Sequence, residues 1–171
     1  PMMPHSPHNP PDRLFRKYRS RTSSPHVARY WAMCEWFDET CGQLLAHLDR
    51  DGLRENTLVI YVCDNGWIQR EDTPRHAGRS KLTSYEGGIR TPIMVRWPGR
   101  VEPRRDDSTL VSAIDMMPTA LAACGLRPTP DMQGIDLLDS QALGARKAVF
   151  GAGYGHDAAD VDDPAANLYV R

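Results

Sequence analysis

Leu58-Val59-Ile60-Tyr61-Val62-Cys63-Asp64-Asn65-Gly66, with Ile93-Met94-Val95-Arg96-Trp97 downstream of it, decides how this chain is built. Leu58 to Val62 is a β-branched and aromatic run without polar alternation, which predicts a strand covered on both faces, as in an α/β sheet. Asp64, Asn65 and Gly66 come directly after it, and α/β sheets place their ligands just beyond the carboxyl ends of strands. Asp and Asn bring the oxygen donors that Ca²⁺ or Mg²⁺ prefers. Gly66 permits a sharp turn that would aim both side chains at one point. Asn-Gly is also a plain turn signal in any protein, so the tripeptide by itself fits either reading.

Working outward on the N-terminal side, Ser24-Pro25 reads as a helix start, a hydroxyl cap followed by proline in the first turn. Tyr30, Met33, Cys34, Phe37, Cys41, Leu44, Leu45 and Leu48 then recur at helical spacing and form one apolar face, read as core. The helix should run to about Arg50 and stop at Asp51-Gly52. Ahead of it, the prolines of residues 1–21 predict a loop. His5-Ser6-Pro7 and His8-Asn9-Pro10 carry imidazoles on stiff backbone there, either as surface histidines or as contacts for an anion.

On the C-terminal side, Ile68 to Lys81 is polar and predicted to be a loop; Arg75, His76 and Arg79 in it could each face an anion and are read by default as lying in solvent. Gly87-Gly88 allows a tight turn that Glu86 and Arg90 would support, and Ile93–Trp97 is a second buried-type strand closed by Pro98-Gly99. Leu110 to Gly125 reads as a short strand and then a helix capped by Asp115, with Pro118 in its first turn. Ala148-Val149-Phe150-Gly151 predicts a last strand. It leads into the acidic loop Asp157 to Asp163, whose spacing fails the EF-hand frame and which is read as solvated.

A chain of 171 residues with 40% hydrophobic and 25% charged content suits one globular core. No run approaches the roughly 18 apolar residues of a membrane span, and no charged start followed by an apolar stretch marks a signal peptide. The start at Pro1 and the strand-like end at Asn167–Arg171 suggest an excerpt of a longer protein. Residues 58–100 hold seven Lys and Arg against four Asp and Glu, whereas residues 101–171 hold six against eleven. The basic centre suits an anionic substrate or a solvated surface. Nothing has the Lys/Arg density with interleaved aromatics of a nucleic-acid binder. Cys34, Cys41, Cys63 and Cys124 form no C-x-x-C pair, so neither zinc nor a thioredoxin-like motif is suggested.

The order of a strand ending in Asp64-Asn65-Gly66, a lysine at Lys81, the run Tyr85-Glu86-Gly87-Gly88-Ile89-Arg90-Thr91-Pro92 and a strand ending in Arg96-Trp97-Pro98-Gly99 resembles the sulfatase family of the alkaline phosphatase superfamily. The likeness extends from the Pro4-His5-Ser6-Pro7-His8 loop to about Val170. It implies an α/β fold, a mixed, mostly parallel sheet sandwiched between helices, with residues 1–171 as part of one catalytic domain. It implies hydrolysis of a sulfate ester on a sulfated small molecule or glycan. Asp64 and Asn65 would be ligands of one Ca²⁺, and Asp64, His5 and Lys81 catalytic, with His5 and Lys81 touching the sulfate and His8 as the alternative to His5.

Sulfatases convert a Cys or Ser, followed two residues on by Pro or Ala and then by Arg, into formylglycine. None of the four cysteines stands in that context, so the nucleophile and the remaining metal ligands are expected outside residues 1–171, and the excerpt alone is expected to be inactive. A secreted or periplasmic location follows from the resemblance only, and the oligomeric state is left open. The competing readings are a phosphate or phosphonate ester hydrolase of the same superfamily and a non-catalytic anion-binding relative. The joint presence of His5, Asp64, Asn65 and Lys81 argues against the latter.

Overall fold

The structure, a computed structural model, describes residues 3–154, 162 and 167–171; the acidic loop, apart from Asp162, lies outside them. The chain divides into two compact units, residues 1–54 with 65–89 and residues 55–64 with 90–171.

The first unit is built on two helices. α1 (Asp12–Arg19) overturns the expectation of a loop throughout residues 1–21. The prolines end at Pro11, which serves as the N-cap, and the next eight residues carry no helix breaker. They place Asp12 in the first turn and Arg16, Lys17 and Arg19 in the last, which complements the helix dipole. Leu14 is buried, while Arg13 pairs with Glu39 and Lys17 with Glu35 on the next helix. Such exposed pairs contribute little, so α1 is held chiefly by its apolar side.

α2 (Pro25–Arg50) has the expected ends. The Ser24 hydroxyl accepts from the Val27 N–H at 3.2 Å and donates to the Glu71 carbonyl at 2.6 Å, so one buried side chain both caps the helix and ties it to the loop after Gly66. Past the last turn, Gly52 takes a φ of +71°, a conformation that disfavours any Cβ. Burial is concentrated in the first turns, at Val27, Ala28, Ala32 and Met33. Farther along, Phe37, Cys41, Leu45 and Leu48 are only half-buried and Leu44 is exposed, so the predicted apolar face is core in its first half alone.

The second unit contains β1 (Val59–Val62) and β2 (Ile93–Arg96), which pair antiparallel with Val59 opposite Arg96 and Val62 opposite Ile93. All four residues of β1 are half-buried, where coverage on both faces was expected. A two-stranded ladder leaves part of each face and edge open. Trp97 closes this corner, buried, with its indole N–H donating to the Glu55 carbonyl at 2.9 Å and the Arg100 guanidinium 4.7 Å from its ring centroid. Between the two strands in sequence, a single helical turn, α3 (Glu86–Ile89), ends the first unit.

Residues 110–112 form no strand. They lead into a 3₁₀ turn, Ala113–Asp115, and then α4 (Met116–Ala123), after which Gly125 takes a φ of +73°. Asp115 does not cap α4, because its carboxylate is taken by other partners. It accepts from the Ser112 and Ile135 N–H groups at 2.8 Å each and from the Arg146 guanidinium at 2.6 Å on both oxygens. Thr119 completes the cluster, donating to the Asp115 carbonyl and accepting from the Leu137 N–H. α5 (Ser140–Ala145), capped by Asp139, was not anticipated. β3 (Phe150–Gly153) starts two residues after the predicted Ala148 and pairs antiparallel with β4 (Asn167–Val170). Both ladders among the described residues are thus antiparallel. Among the described residues no helix is long and apolar enough to cross a membrane.

Candidate active site

Asp64 lies two residues beyond β1, exposed, with the Cys63 thiol 3.9 Å from its Oδ1. Asn65 is half-buried and its amide nitrogen donates to the Gly66 carbonyl at 3.0 Å. The unit boundary falls between these two residues.

Glycine packing fixes the backbone after Asn65. The Gly66 N–H donates to the Gly88 carbonyl at 2.8 Å, and a Cβ at residue 66 would strike the Gly87 carbonyl. Gly66 is therefore required for close approach of two backbones, a reason additional to the turn read from sequence. The Gly87-Gly88 pair does not sit in a bare turn, because both glycines belong to α3.

Ser80 locks the intervening loop. Its fully buried hydroxyl accepts from the Ile68 N–H at 2.6 Å, while its carbonyl accepts from the Thr83 hydroxyl at 2.6 Å. Lys81 is carried next to it, half-buried, with no ion-pair partner among the described residues. Leu82 then takes a φ of +64°, the one described non-glycine residue with positive φ, and its side chain is 68% exposed. An uncapped leucine in this conformation is strained, and such strain gathers at functional loops.

The two candidate histidines are placed differently. His5 is exposed, its Nδ1 2.6 Å from the Ser6 carbonyl, an arrangement that puts the proton on Nδ1 and turns Nε2 outward. His8 is buried in an aromatic cluster, its ring centroid 5.5 Å from Tyr30 and 5.8 Å from Trp67, and neither ring nitrogen has a side-chain hydrogen-bond partner. Burial pushes the His8 imidazole below its ordinary value; the Pro4 backbone opposes that shift, while His5 and His26 act with burial.

Of the three loop residues expected in solvent, only Arg75 and Arg79 are exposed. His76 is half-buried with its ring edge against Trp67 at 5.3 Å, and the Arg79 guanidinium lies 4.9 Å from the Tyr85 ring centroid. Sequence reasoning missed Ser80 and the His8 cluster. The presence of Trp67 so soon after Asn65-Gly66 was the available signal for the second.

Among the described residues no three His, Cys, Asp or Glu side chains converge as a metal-ligand group. Asp64 and Asn65 have the hard-oxygen chemistry of a Ca²⁺ site, but they supply two of the roughly six donors such an ion takes.

These features define an α/β domain whose strand-end carboxylate and carboxamide precede a rigid loop presenting a lysine. The family described as Sulfatase matches residues 1–126, and the chain belongs to the sulfatase family. It is similar to an endo-4-O-sulfatase of Bacteroides thetaiotaomicron, 34% identical over 85% of this chain and 26% of the relative. A solved sulfatase structure from work on glycosaminoglycan metabolism by Bacteroides thetaiotaomicron is 32% identical with a TM-score of 0.64, over 78% of this chain and 31% of that one. Another, solved in complex with its substrate D-glucosamine-2-N,6-O-disulfate, is 27% identical with a TM-score of 0.58, over 78% of this chain and 28% of that one. The chain spans about a quarter of the length of the curated relatives it matches.

Proposed function

We propose that this chain contributes to a sulfuric ester hydrolase acting on a sulfated sugar or glycan. The observation that carries the reading is the ammonium of Lys81, held on a turn locked by Ser80 and left without an ion-pair partner among the described residues, within a chain of the sulfatase family. An unpaired cation on a fixed backbone suits a group that must meet a transferring oxyanion, because it need not reorganise as charge develops. His5 would present Nε2 to the sulfate ester while Nδ1 stays on the Ser6 carbonyl. Asp64 and Asn65 would hold one Ca²⁺ with donors from elsewhere, and that ion, when bound, would supply positive charge to the sulfate oxygens. A relative named N-acetylgalactosamine-6-sulfatase and a neighbour solved with D-glucosamine-2-N,6-O-disulfate support a sugar as the alcohol half of the substrate.

The test compares a chromogenic aryl sulfate with the matching aryl phosphate, using metal-assayed enzyme and its Asp64→Ala variant. Sulfate should be turned over in preference, and Asp64→Ala should lose both bound metal and turnover. Preference for the phosphate, or an Asp64→Ala enzyme with normal metal content and kcat, would overturn the assignment. Residues 1–171 alone should show neither aryl sulfate hydrolysis above a heat-treated control nor tight Ca²⁺ binding by calorimetry.

A further inference from the structure

The first unit contains a cavity of about 490 Å³ that the proposed catalysis does not use. Its walls are the Ser6-Pro7-His8 loop, His26 and Arg29 on the first turns of α2, and Pro74-Arg75 of the loop after Gly66. No carboxylate lines it among the described residues. The neighbouring Asp72 is held by Arg70 at 2.6 Å, and Glu71 meets Ser24 through its backbone carbonyl.

Neither Arg29 nor Arg75 has a carboxylate partner among the described residues. Arg29 lies over the Phe15 ring at 4.5 Å, a contact that fixes the guanidinium without neutralising it. His8 adds a second kind of observation. It is nine-tenths buried, it lines the cavity, and neither ring nitrogen has a side-chain partner, the Pro4 backbone being the one hydrogen-bonding group that acts on the ring. A buried polar group left in that condition is costly unless a ligand supplies the missing bond. Burial favours the neutral imidazole, which still offers one N–H donor.

Two guanidinium groups, two imidazoles and stiff proline walls make a recognition site for an oxyanion. The volume falls within the range of small-molecule sites, roughly 300–1,000 Å³, and exceeds what a lone sulfate fills, leaving room for the sugar that bears it. We propose that this cavity is an auxiliary subsite for a second oxyanion, a sulfate or a uronate carboxylate, on the same glycan whose ester is cleaved; as a substrate subsite it rests on the sulfatase reading.

The experiment is calorimetric titration of the protein with three probes: a hexosamine carrying one sulfate, the same hexosamine carrying two, and the monosulfated hexosamine linked to a uronic acid. A charge-assisted contact should make at least one two-anion probe bind about tenfold tighter than the first, and which one does identifies the group as sulfate or carboxylate. Arg75→Gln, and Arg29→Gln combined with it, should abolish that preference while melting at the wild-type temperature; Arg75→Gln alone serves if losing the Phe15 contact unsettles the double variant. Equal affinity for all three probes, or a preference that survives in both variants, would overturn the proposal. Sulfate hydrolysis without the preference would remove the subsite alone. An arginine-dependent preference in a full-length enzyme that carries this chain and hydrolyses no sulfate ester would remove the catalytic reading and leave the oxyanion pocket standing.

Discussion

Two polar clusters in this chain handle charge in opposite ways. Around Asp115 and Arg146, in the second unit, both carboxylate oxygens and both terminal guanidinium nitrogens have partners: the carboxylate takes two guanidinium donors and two backbone N–H groups, and both side chains are almost wholly out of water. Around His8 and Arg75, in the first unit, an imidazole is buried without a side-chain partner and the guanidinium lining the same cavity carries no ion pair among the described residues; Lys81, elsewhere in that unit's sequence, carries none either. A saturated network has nothing left to offer a ligand and acts by specifying structure. An unsaturated one is kept at a cost in stability and leaves donors unspent.

The largest effect should come from breaking the saturated cluster. Asp115→Asn removes the charge but keeps the shape, which strands the Arg146 guanidinium in the interior, and loss of one partner of a buried pair typically costs about 3–5 kcal/mol. Urea unfolding should show that loss as a lower midpoint with an unchanged slope. The pH dependence comes from the same contacts. Burial alone would raise the Asp115 carboxyl, but Arg146 and the Ile135 and Ser112 N–H groups outweigh it and hold the carboxyl below its usual range. Its folded value lies below the unfolded value of about 3.9, so the contribution is complete above that pH and drains away as pH falls through the folded value. Wild-type stability should therefore drop below about pH 4, and Asp115→Asn should flatten that decline; an unaltered acid branch in the variant would deny the pair its role.

The unsaturated region should respond in rate. In a full-length enzyme that carries this chain, Lys81→Ala is expected to lower kcat by about 10²–10³, the usual loss for one preorganised donor at a developing charge, with fold and metal content unchanged. Lys81→Arg should recover part of it, since a planar fork replaces a point charge. Steady-state kinetics on a chromogenic sulfate decides the matter, and wild-type kcat in Lys81→Ala would take this residue out of the site. Gly66→Ala lies next in size. A methyl there must push into the Gly87 carbonyl, a backbone atom with little room to move, so a loss of about 1–3 kcal/mol is expected, visible as a lower melting temperature together with reduced kcat. A neutral Gly66→Ala would show that the backbones on either side of residue 66 are not locked together.

The saturated and unsaturated clusters also differ in how far sequence reveals them. α2, β1, β2 and the family could be read because their signals are local: Ser24-Pro25 and Gly52 bracket one helix, and strand runs end in recognisable turns. Asp115 was read as a helix cap because a cap is what an aspartate before an apolar helical run looks like; its bond to Arg146 spans 31 positions and leaves no periodic trace. Ser80 has the same difficulty, since a small hydroxyl gains meaning only when Ile68, 12 positions earlier, folds back onto it. α1 was missed because prolines up to Pro11 were allowed to speak for the eight residues after them. Lys81 and the histidines were singled out by family resemblance, while the burial of His8 and the exposure of His5 depend on Tyr30 and Trp67 meeting in three dimensions.

The smallest expected effect tests whether the backbone after Lys81 is bent for function. Leu82 holds a φ of +64° with its side chain largely in water, so no apolar burial offsets the conformation, which for a residue with a Cβ costs on the order of 1 kcal/mol. Asparagine tolerates that region far better than leucine while restricting the unfolded chain more than glycine does, so Leu82→Asn should raise stability by up to about 1 kcal/mol. If strain at residue 82 sets where the Lys81 ammonium points, the relaxed variant should keep the same turn and kcat should change by less than threefold or so, about 0.6 kcal/mol. Leu82→Pro, which cannot adopt positive φ, should instead move the turn and lower kcat toward the Lys81→Ala level. Thermal melting and kcat measured on the same preparations give both readouts. A Leu82→Pro enzyme with wild-type kcat would mean that the position of Lys81 is set by Ser80 alone, and that the strained leucine belongs with the exposed loop rather than with the site.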